Sequence, residues 1–285
     1  MPSKIKSDIF FIEILTQHMK KDSCARITQK ETRGEYFLLA LESPAIARDA
    51  HPGQFLMVRV SPHTHPLLRR PFSIFSAKGQ IVEIFLQRVG LGTRLLSKKQ
   101  EGESVDIIGP LGKGFVIDEE DQTKSHALIG GGRGIAPLYF LSQKLRFQSG
   151  NIFVFYGGKS LQDLPVRERL EKNGQALFLS TEDGSFGSQG LITDVFEAEL
   201  RKGMSVSQIY ACGPDPMLKK IAEIGATMDI PTELSLESVM GCGFGACWGC
   251  VKKIRKDREI GWHKICEEGP VFASENIIWE LENDG

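Results

Sequence analysis

Four cysteines near the end of the sequence constrain what this chain can fold into more than any other feature. Cys242, Cys247 and Cys250 follow the pattern C-x4-C-x2-C, and Cys266 comes after fifteen further residues. This is the spacing of a plant-type [2Fe–2S] site, in which four thiolates hold two irons. Four glycines between positions 241 and 249 interleave with the cysteines and permit turns with positive φ. The pattern predicts an iron–sulfur cluster held by these four cysteines.

A structural zinc ion is the alternative occupant of this cysteine segment. Structural zinc sites usually combine two C-x2-C pairs, whereas this segment contains one, so the spacing favours the cluster. Cysteines clustered in a chain of this length indicate metal binding rather than a disulfide framework, and they predict a reducing, cytoplasmic compartment. Five basic residues at 252–258 are interpreted as a solvated hairpin; the alternative is a surface that meets an acidic partner.

The first half of the chain has the pattern of a small β-barrel. Short β-rich runs are separated by Gly and Pro turns, and the pattern extends from residue 23 to about 116. A short helix is expected at 93–99, with Thr93 as its N-cap. The clearest predicted strands are 35–42, 54–60 and 80–89.

After residue 118 the pattern changes to apolar strands separated by helical segments, which predicts a parallel, doubly wound sheet. The predicted strands are 126–129, 151–156, 176–180 and 208–211, and a helix is expected at 137–147. The charged run 118–124 is the expected domain boundary. The chain therefore divides into an N-terminal extension (a short helix or an added strand) at 1–22, a barrel at 23–120, an α/β domain at 121–235 and a cluster-binding segment at 236–285.

Two turns in the second half have the composition of nucleotide-binding loops. Residues 129–137 read IGGGRGIAP, in which Pro137 suits a first helical position and the glycines expose backbone N–H groups to a pyrophosphate. Residues 211–217 read ACGPDPM and also join a strand to a helix. Both turns should lie at one edge of the sheet, where ligands bind in open α/β folds. Cys212 is either a small hydrophobe or part of a nicotinamide pocket.

The barrel carries a third motif, RRPFS at residues 69–73, which we place after a strand end. An arginine fork can hold a phosphate, and a serine hydroxyl can hydrogen-bond a ring. Gly92 and Thr93 lie at the start of the predicted short helix, where an anion is also favoured. Each of these signals is weak alone, and Arg70 could equally form a surface ion pair.

In this order the motifs resemble those of the ferredoxin–NADP reductase family, in which a β-barrel FAD domain precedes an NAD-binding α/β domain. The cysteine segment, with GPVF at 269–272, is most similar to electron-transfer subunits of class B dihydroorotate dehydrogenases. The resemblance implies that the site residues are, for FAD, Arg70, Pro71, Phe72, Ser73, Phe85, Leu86, Gln87, Gly92 and Thr93; for NAD, Gly131, Gly132, Gly134, Pro137, Cys212, Gly213, Pro214 and Met217; and for the cluster, the four cysteines. Arg133 departs from the family pattern, which has an aliphatic or small residue there.

The resemblance also implies a function. An FMN-containing catalytic partner would oxidise dihydroorotate, and electrons would pass through [2Fe–2S] and FAD to NAD+ in pyrimidine biosynthesis, without a general base from this chain. The partner would be a separate chain, in a heterotetramer with two copies of each. The alternatives are the small subunit of an NADH-dependent ferredoxin–NADP oxidoreductase, hydrogenase or sulfite reductase, or a zinc-stabilised interaction protein without enzyme activity.

Other partners are not expected. The 35 basic and 36 acidic residues give a net charge of −1, which is no footprint for nucleic acid. No apolar run approaches the length of a transmembrane helix, and the first residues lack a signal-peptide cleavage site.

Overall fold

The structure, a computed structural model, describes residues 19–118, 124–145 and 150–279. The expected secondary structure of the N-terminal extension lies outside the described residues, as does most of the charged run at 118–124. In the part of the chain that is described, no helix has both the length and the apolar character needed to cross a membrane.

Six antiparallel strands form a closed barrel in the order β1-β2-β5-β4-β3-β6, and pairing of β1 with β6 completes it. The strands are β1 (Lys20–Arg33), β2 (Tyr36–Glu42), β3 (Phe55–Arg59), β4 (Arg70–Lys78), β5 (Ile81–Gln87) and β6 (Ser104–Leu111). The predicted barrel is confirmed. The barrel begins a few residues before position 23, because β1 starts at Lys20.

Strand β2 shows why its sequence, YFLLALE, is apolar at almost every position. Successive side chains of a strand point to opposite faces. Phe37, Leu39 and Leu41 fill the barrel interior, whereas Tyr36 and Leu38 pack in the core shared with the α/β domain. The strand is therefore buried on both faces, and this burial joins the two halves of the molecule.

Two helices accompany the barrel, α1 (Pro44–Asp49) and α2 (Leu91–Lys98). The prediction that Thr93 is the N-cap of the second helix is wrong. The N-cap is Gly90, in an extended conformation, and Thr93 is the third helical residue. Its hydroxyl reaches back to accept hydrogen bonds from the N–H groups of Val89 (3.0 Å) and Gly90 (3.1 Å). A polar side chain at this position commonly satisfies the N-cap N–H in this way.

The second half forms a seven-stranded sheet in the order β10-β9-β8-β7-β11-β12-β15, parallel except for β15 at one edge. The strands are β7 (His126–Gly131), β8 (Ile152–Gly158), β9 (Ala176–Thr181), β10 (Ser188–Gln189), β11 (Gln208–Cys212), β12 (Thr232–Ser235) and β15 (Val271–Ala273). The accompanying helices are α3 (Ile135–Leu145), α4 (Arg167–Glu171), α5 (Ile192–Arg201) and α6 (Asp215–Met228). The predicted parallel sheet is confirmed.

Helix α3 begins two residues before the predicted start, directly after a 3-10 turn at Gly132–Gly134. The prediction that Pro137 is the first helical residue is therefore wrong, because Pro137 is the third. The position is still compatible with proline, since the N–H groups of the first helical turn have no partner inside the helix. The last two residues of the predicted helix lie outside the described residues.

The C-terminal segment leaves the sheet at β12 and returns to it at β15. Between these strands lie the cysteine loop, a hairpin of β13 (Val251–Lys256) and β14 (Glu259–Lys264), and the short helix α7 (Ile265–Glu268). The hairpin predicted for the basic run is confirmed, and its turn residues Asp257 and Arg258 have φ of 51° and 70°.

A cluster of ion pairs and stacked rings joins the barrel to the α/β domain. Arg169 of α4 donates to Glu31 of β1 (2.7 Å) and to Glu83 of β5 (3.2 Å). The guanidinium carbon lies 5.6 Å from the ring centre of Phe75, and that ring stacks on Tyr139 at 4.1 Å. Because the partners come from both halves, these contacts fix the orientation of one half against the other.

Replacing Arg169 with Met is expected to lower the free energy of unfolding by about 1–3 kcal/mol, the usual contribution of hydrogen bonds between charged groups. Denaturant unfolding measures the change. The matched control is Arg201→Met, because Arg201 is largely exposed and pairs with Glu197 within one helix. The control should change stability by less than about 0.5 kcal/mol. Equal effects of the two substitutions would contradict the assignment.

The effect of Arg169→Met should also depend on pH. Partial burial raises the pKa of Glu31, but hydrogen bonds from Arg33 and Arg169 outweigh it and hold the pKa below its ordinary value. A lowered folded-state pKa stabilises the protein above the unfolded pKa, about 4.3, and this contribution is lost as the pH falls through the folded pKa. The stability difference between wild type and the variant should therefore narrow below about pH 4; an unchanged difference would count against the ion pair.

Candidate functional site

A cavity of about 390 Å³ lies between the barrel and the α/β domain. Residues 70–73 of β4, 85–87 of β5 and 92–93 of α2 all line it. These are the nine residues that the sequence motifs associate with FAD, so the structure brings all of them to one place. The prediction that the RRPFS motif follows a strand end is wrong. The motif lies at the start of β4, where Arg70 and Pro71 pair with Val58 and Met57 of β3.

The two neighbouring arginines of this motif have different environments. Arg69 donates to the carboxylate (2.7 Å) and to the carbonyl oxygen (2.9 Å) of Asp106, so it is a structural residue. Arg70 lines the cavity, and its hydrogen bonds within the described residues go to the carbonyl oxygens of Leu68 (2.6 Å) and Arg69 (3.3 Å). A guanidinium without a carboxylate partner keeps donors for an anion. Arg70 is therefore the arginine suited to a phosphate.

The two glycine-containing turns lie side by side, because β7 and β11 are neighbours in the sheet. A Cβ atom on Gly134 would overlap the carbonyl group of Cys212, so only glycine permits this approach. Gly131 and Gly213 both pack against Met217. The sequence-predicted NAD residues are thus brought together at the carboxyl edge of the sheet, the position at which open α/β sheets bind ligands.

Of the eight predicted NAD residues, Cys212 alone is among the described residues that line the cavity. It is buried, and this burial raises the pKa of its thiol to about 12, with the nearby Glu237 carboxylate adding to the rise. The thiol is therefore neutral at physiological pH. Cys212 is thus a buried small side chain that also lines the cavity, and its place in a nicotinamide pocket stays a prediction.

The four predicted cluster ligands form two neighbouring pairs. The N–H of Cys247 donates to the sulfur of Cys242 (3.4 Å), and the N–H of Cys266 donates to the sulfur of Cys250 (3.4 Å). The N–H of Gly245 donates to Cys266 at 3.1 Å. Among the described residues, no group of three or more His, Cys, Asp or Glu side chains is arranged to hold a single metal ion. Two neighbouring sulfur pairs fit a centre with two irons.

The two ends of the cysteine loop have different electrostatics. Cys247 is exposed, and hydrogen bonds from the backbone of Cys242 and Gly249 lower the pKa of its thiol to about 7. Cys266 is buried, and burial together with a hydrogen bond that its thiol donates to Cys250 raises the pKa of that thiol well above the ordinary range. Iron binds the thiolate, so loading Cys266 requires loss of a proton that its buried environment does not favour.

Sequence analysis missed the segment that connects the cavity to the cysteine loop. Residues 235–238, Met240 and Pro270 line the cavity, and Met240 is two residues from Cys242. The N–H of Leu236 donates to the carbonyl oxygen of Pro270 at 2.9 Å, which ties together the two sides of the loop. The one signal in the sequence that could have placed these residues in the cavity wall is their position, since they follow the carboxyl end of a strand and flank the cysteines.

Comparisons with known proteins define the class first. Residues 128–223 match the oxidoreductase NAD-binding domain, and residues 237–278 match the iron-sulfur cluster binding domain of dihydroorotate dehydrogenase B. The structure of NADH-dependent reduced ferredoxin–NADP oxidoreductase superposes with a TM-score of 0.79 at 27% identity, over 90% of this chain and 91% of that chain. The ferredoxin reductase of carbazole 1,9a-dioxygenase shares the fold, with a TM-score of 0.64 at 19% identity, over 75% of this chain and 67% of that chain. The fold is that of a ferredoxin reductase-like oxidoreductase.

Curated relatives define the family. The electron transfer subunit of dihydroorotate dehydrogenase B (NAD(+)) from Geobacillus thermodenitrificans is 36% identical, over 88% of this chain and 96% of the relative. The corresponding subunit from Bacillus pumilus is 35% identical, over 91% of this chain and 98% of the relative. The chain belongs to the family of dihydroorotate dehydrogenase B electron transfer subunits. The predicted class, an oxidoreductase subunit with FAD, [2Fe–2S] and NAD sites, is confirmed at the level of this family.

Replacing Gly245 with Ala is expected to remove most of the iron that the chain binds. Gly245 has a φ of 86°, and a Cβ there would lie 2.5 Å from a carboxylate oxygen of Glu267. The strained turn would move the N–H that donates to Cys266. The control is Gly249→Ala, because Gly249 does not have positive φ and a Cβ there would meet only Cys247 at 3.5 Å. Iron per chain after anaerobic reconstitution is the measurement, and equal iron in both variants would refute this role.

Proposed function

We propose that this chain is the electron transfer subunit of an NAD-dependent dihydroorotate dehydrogenase. It receives electrons that a catalytic partner takes from dihydroorotate, and it delivers them to NAD+ in pyrimidine biosynthesis. One observation carries the proposal: the wall of the cavity continues directly into the loop of cluster ligands, with Met240 in the wall and Cys242 two residues further on. A relay between the two centres requires this continuity.

The cavity-lining barrel residues form the FAD site. Arg70 binds the pyrophosphate, because its guanidinium keeps free donors. Ser73 and Gln87 supply polar groups to the flavin, while Pro71, Phe72, Phe85 and Leu86 provide the apolar surface. The hydroxyl of Thr93 is already used within its own turn, so Gly92 and Thr93 hold phosphate through backbone N–H groups. When bound, FAD exchanges a hydride with nicotinamide and single electrons with an iron–sulfur centre.

The paired glycine turns form the NAD site. Gly131, Gly132 and Gly134 present backbone N–H groups, and Pro137, which has none, shapes the first turn of α3. The neighbouring turn contributes Gly213, Pro214 and Met217. Cys212 separates this site from the flavin cavity, and its neutral thiol adds no charge there. The four cysteines hold the cluster as two pairs. These side chains bind and orient the cofactors, and none is assigned as a general acid or base.

The partner is an FMN-containing catalytic subunit, in a cytoplasmic heterotetramer with two copies of each chain. Exposed apolar side chains at the cysteine loop support a docked partner. Val239 is 87% exposed and Trp248 is 58% exposed, and apolar side chains exposed together on one surface are typical of protein interaction sites. Within the chain, the proposed segments are the extension at 1–22, the FAD barrel at 23–120, the NAD domain at 121–235 and the cluster segment at 236–285.

A second candidate function is that of a subunit of an NADH-dependent ferredoxin–NADP oxidoreductase. The observation that favours it is the superposition with such an enzyme over 90% of this chain. The two functions differ in the partner, since this chain would carry the same cofactors in both.

Mixing the purified chain with an FMN-containing dihydroorotate dehydrogenase catalytic subunit should produce NAD+ reduction that depends on dihydroorotate. Each chain alone should give little of it, because neither has the whole relay. The rate of NADH formation is the measurement. In a parallel assay, reduced ferredoxin replaces both dihydroorotate and the catalytic subunit as the source of electrons. NADH formation in that assay alone would favour the second candidate.

The chain should lose cluster iron but keep FAD when Cys266 is replaced with Ser, since Cys266 is a predicted cluster ligand and is not among the described residues that line the cavity. The control is Cys24→Ser, because Cys24 lies on the exposed face of β1. Iron content and the absorption spectrum of anaerobically purified protein are the readouts. A colourless wild-type protein that contains zinc would exclude the relay altogether.

A further inference from the structure

Arg133 lies in the glycine turn at a position that the proposed function leaves without a role. It is the middle residue of the 3-10 turn Gly132–Gly134, between β7 and α3. Its side chain is exposed and lines the cavity from the α/β side. The residues proposed to bind FAD line the same cavity from the barrel side.

Arg133 has no charged or hydrogen-bonding partner among the described residues. This differs from Arg69, which is paired with Asp106, and from Arg169, which is paired with Glu31 and Glu83. A guanidinium presents five donors and no acceptor, so an unpaired one in a cavity wall is suited to an external anion.

The charge of the cavity wall is positive overall. Its charged lining residues are Arg70, Arg133 and Glu237, and no ion pair joins them in the described part of the chain. The positive charge of Arg133 also acts on Tyr36 of the barrel. Burial and the hydrogen bond to Asp163 raise the pKa of Tyr36, and Arg133 opposes this rise.

We propose that Arg133 binds the pyrophosphate of a dinucleotide in this cavity, opposite Arg70. Planar guanidinium groups bind phosphate oxygens bidentately, and two of them on opposite walls match a group with two phosphates. The inference rests on the proposed function, because both FAD and NAD carry this group. If the group is the pyrophosphate of FAD, which Arg70 is proposed to bind, it contacts both halves of the molecule; if it is that of NAD, Arg133 binds it from the α/β side alone.

The first experiment measures FAD affinity for the full-length chain from the quenching of flavin fluorescence. Arg133→Gln removes the charge, and Arg133→Lys keeps the charge but loses bidentate geometry. If the pyrophosphate belongs to FAD, Arg133→Gln should weaken binding on the order of 10- to 100-fold, with Arg133→Lys in between. The matched control is Arg94→Gln, because Arg94 is exposed on α2 and does not line the cavity.

The second experiment titrates ADP-ribose into the FAD-loaded chain and follows the change in flavin absorption. If the pyrophosphate belongs to NAD, Arg133→Gln should weaken ADP-ribose binding by the same factor while FAD affinity is unchanged. Raising the salt concentration should weaken binding to wild type more than binding to Arg133→Gln, because the lost interaction is electrostatic.

The outcomes separate this inference from the proposed function. Loss of affinity in either titration supports the anion-binding role and identifies its source. Wild-type affinity of Arg133→Gln for both ligands would overturn the role while leaving the proposed function intact. Failure of the wild-type chain to bind FAD and ADP-ribose would overturn both.

Discussion

The cavity between the barrel and the α/β domain depends on one guanidinium that binds two carboxylates across the domain interface. Arg169 belongs to the α/β domain, and its partners Glu31 and Glu83 belong to the barrel. The cavity has walls from both halves, so its shape exists only while their orientation is kept. The ion pairs are assisted by stacked rings, among them Phe75 on Tyr139, which bury apolar area in the same interface. The ion pairs fix the relative orientation of the two halves, and the burial of apolar area gives the interface most of its stability.

Close backbone approach is the second constraint. The turn after β7 touches the turn after β11 because Gly134 has no side chain to separate them. The cysteine loop is equally compact, since Gly245 packs against Glu267 and Gly243 against Met57 of the barrel. The glycine turns therefore lie against each other, and the cysteine loop lies against the barrel, because glycine leaves room for close contact.

Motifs with fixed spacing could be predicted from the sequence, and their packing could not. The cysteine spacing, the glycine turns and the residues at 70–73 were identified because each is local, and the structure places them around one cavity and its adjoining loop. The prediction that Thr93 is the N-cap was wrong because Gly90 is the N-cap and its N–H donates to the hydroxyl of Thr93. This hydrogen bond depends on the extended conformation of Gly90. The contact of Arg169 with Glu31 joins residues 138 positions apart, and no local pattern encodes it. Residues 235–238 and Met240 follow a strand and precede the cysteines, but only the folded structure shows that they line the cavity.

The return of the chain to its sheet at β15 links the cysteine segment to the protection of a sheet edge. Strand β12 would be an open edge if β15 did not pair with it, and open edges recruit other chains. Cys250 and Cys266 are buried in the same core cluster as Leu234 of β12 and Ile254 of the hairpin. Two of the predicted cluster ligands and the strand that β15 covers are therefore packed in the same core. A substitution that disturbs the packing of Cys250 or Cys266 would therefore also disturb the core beneath the strand that β15 covers.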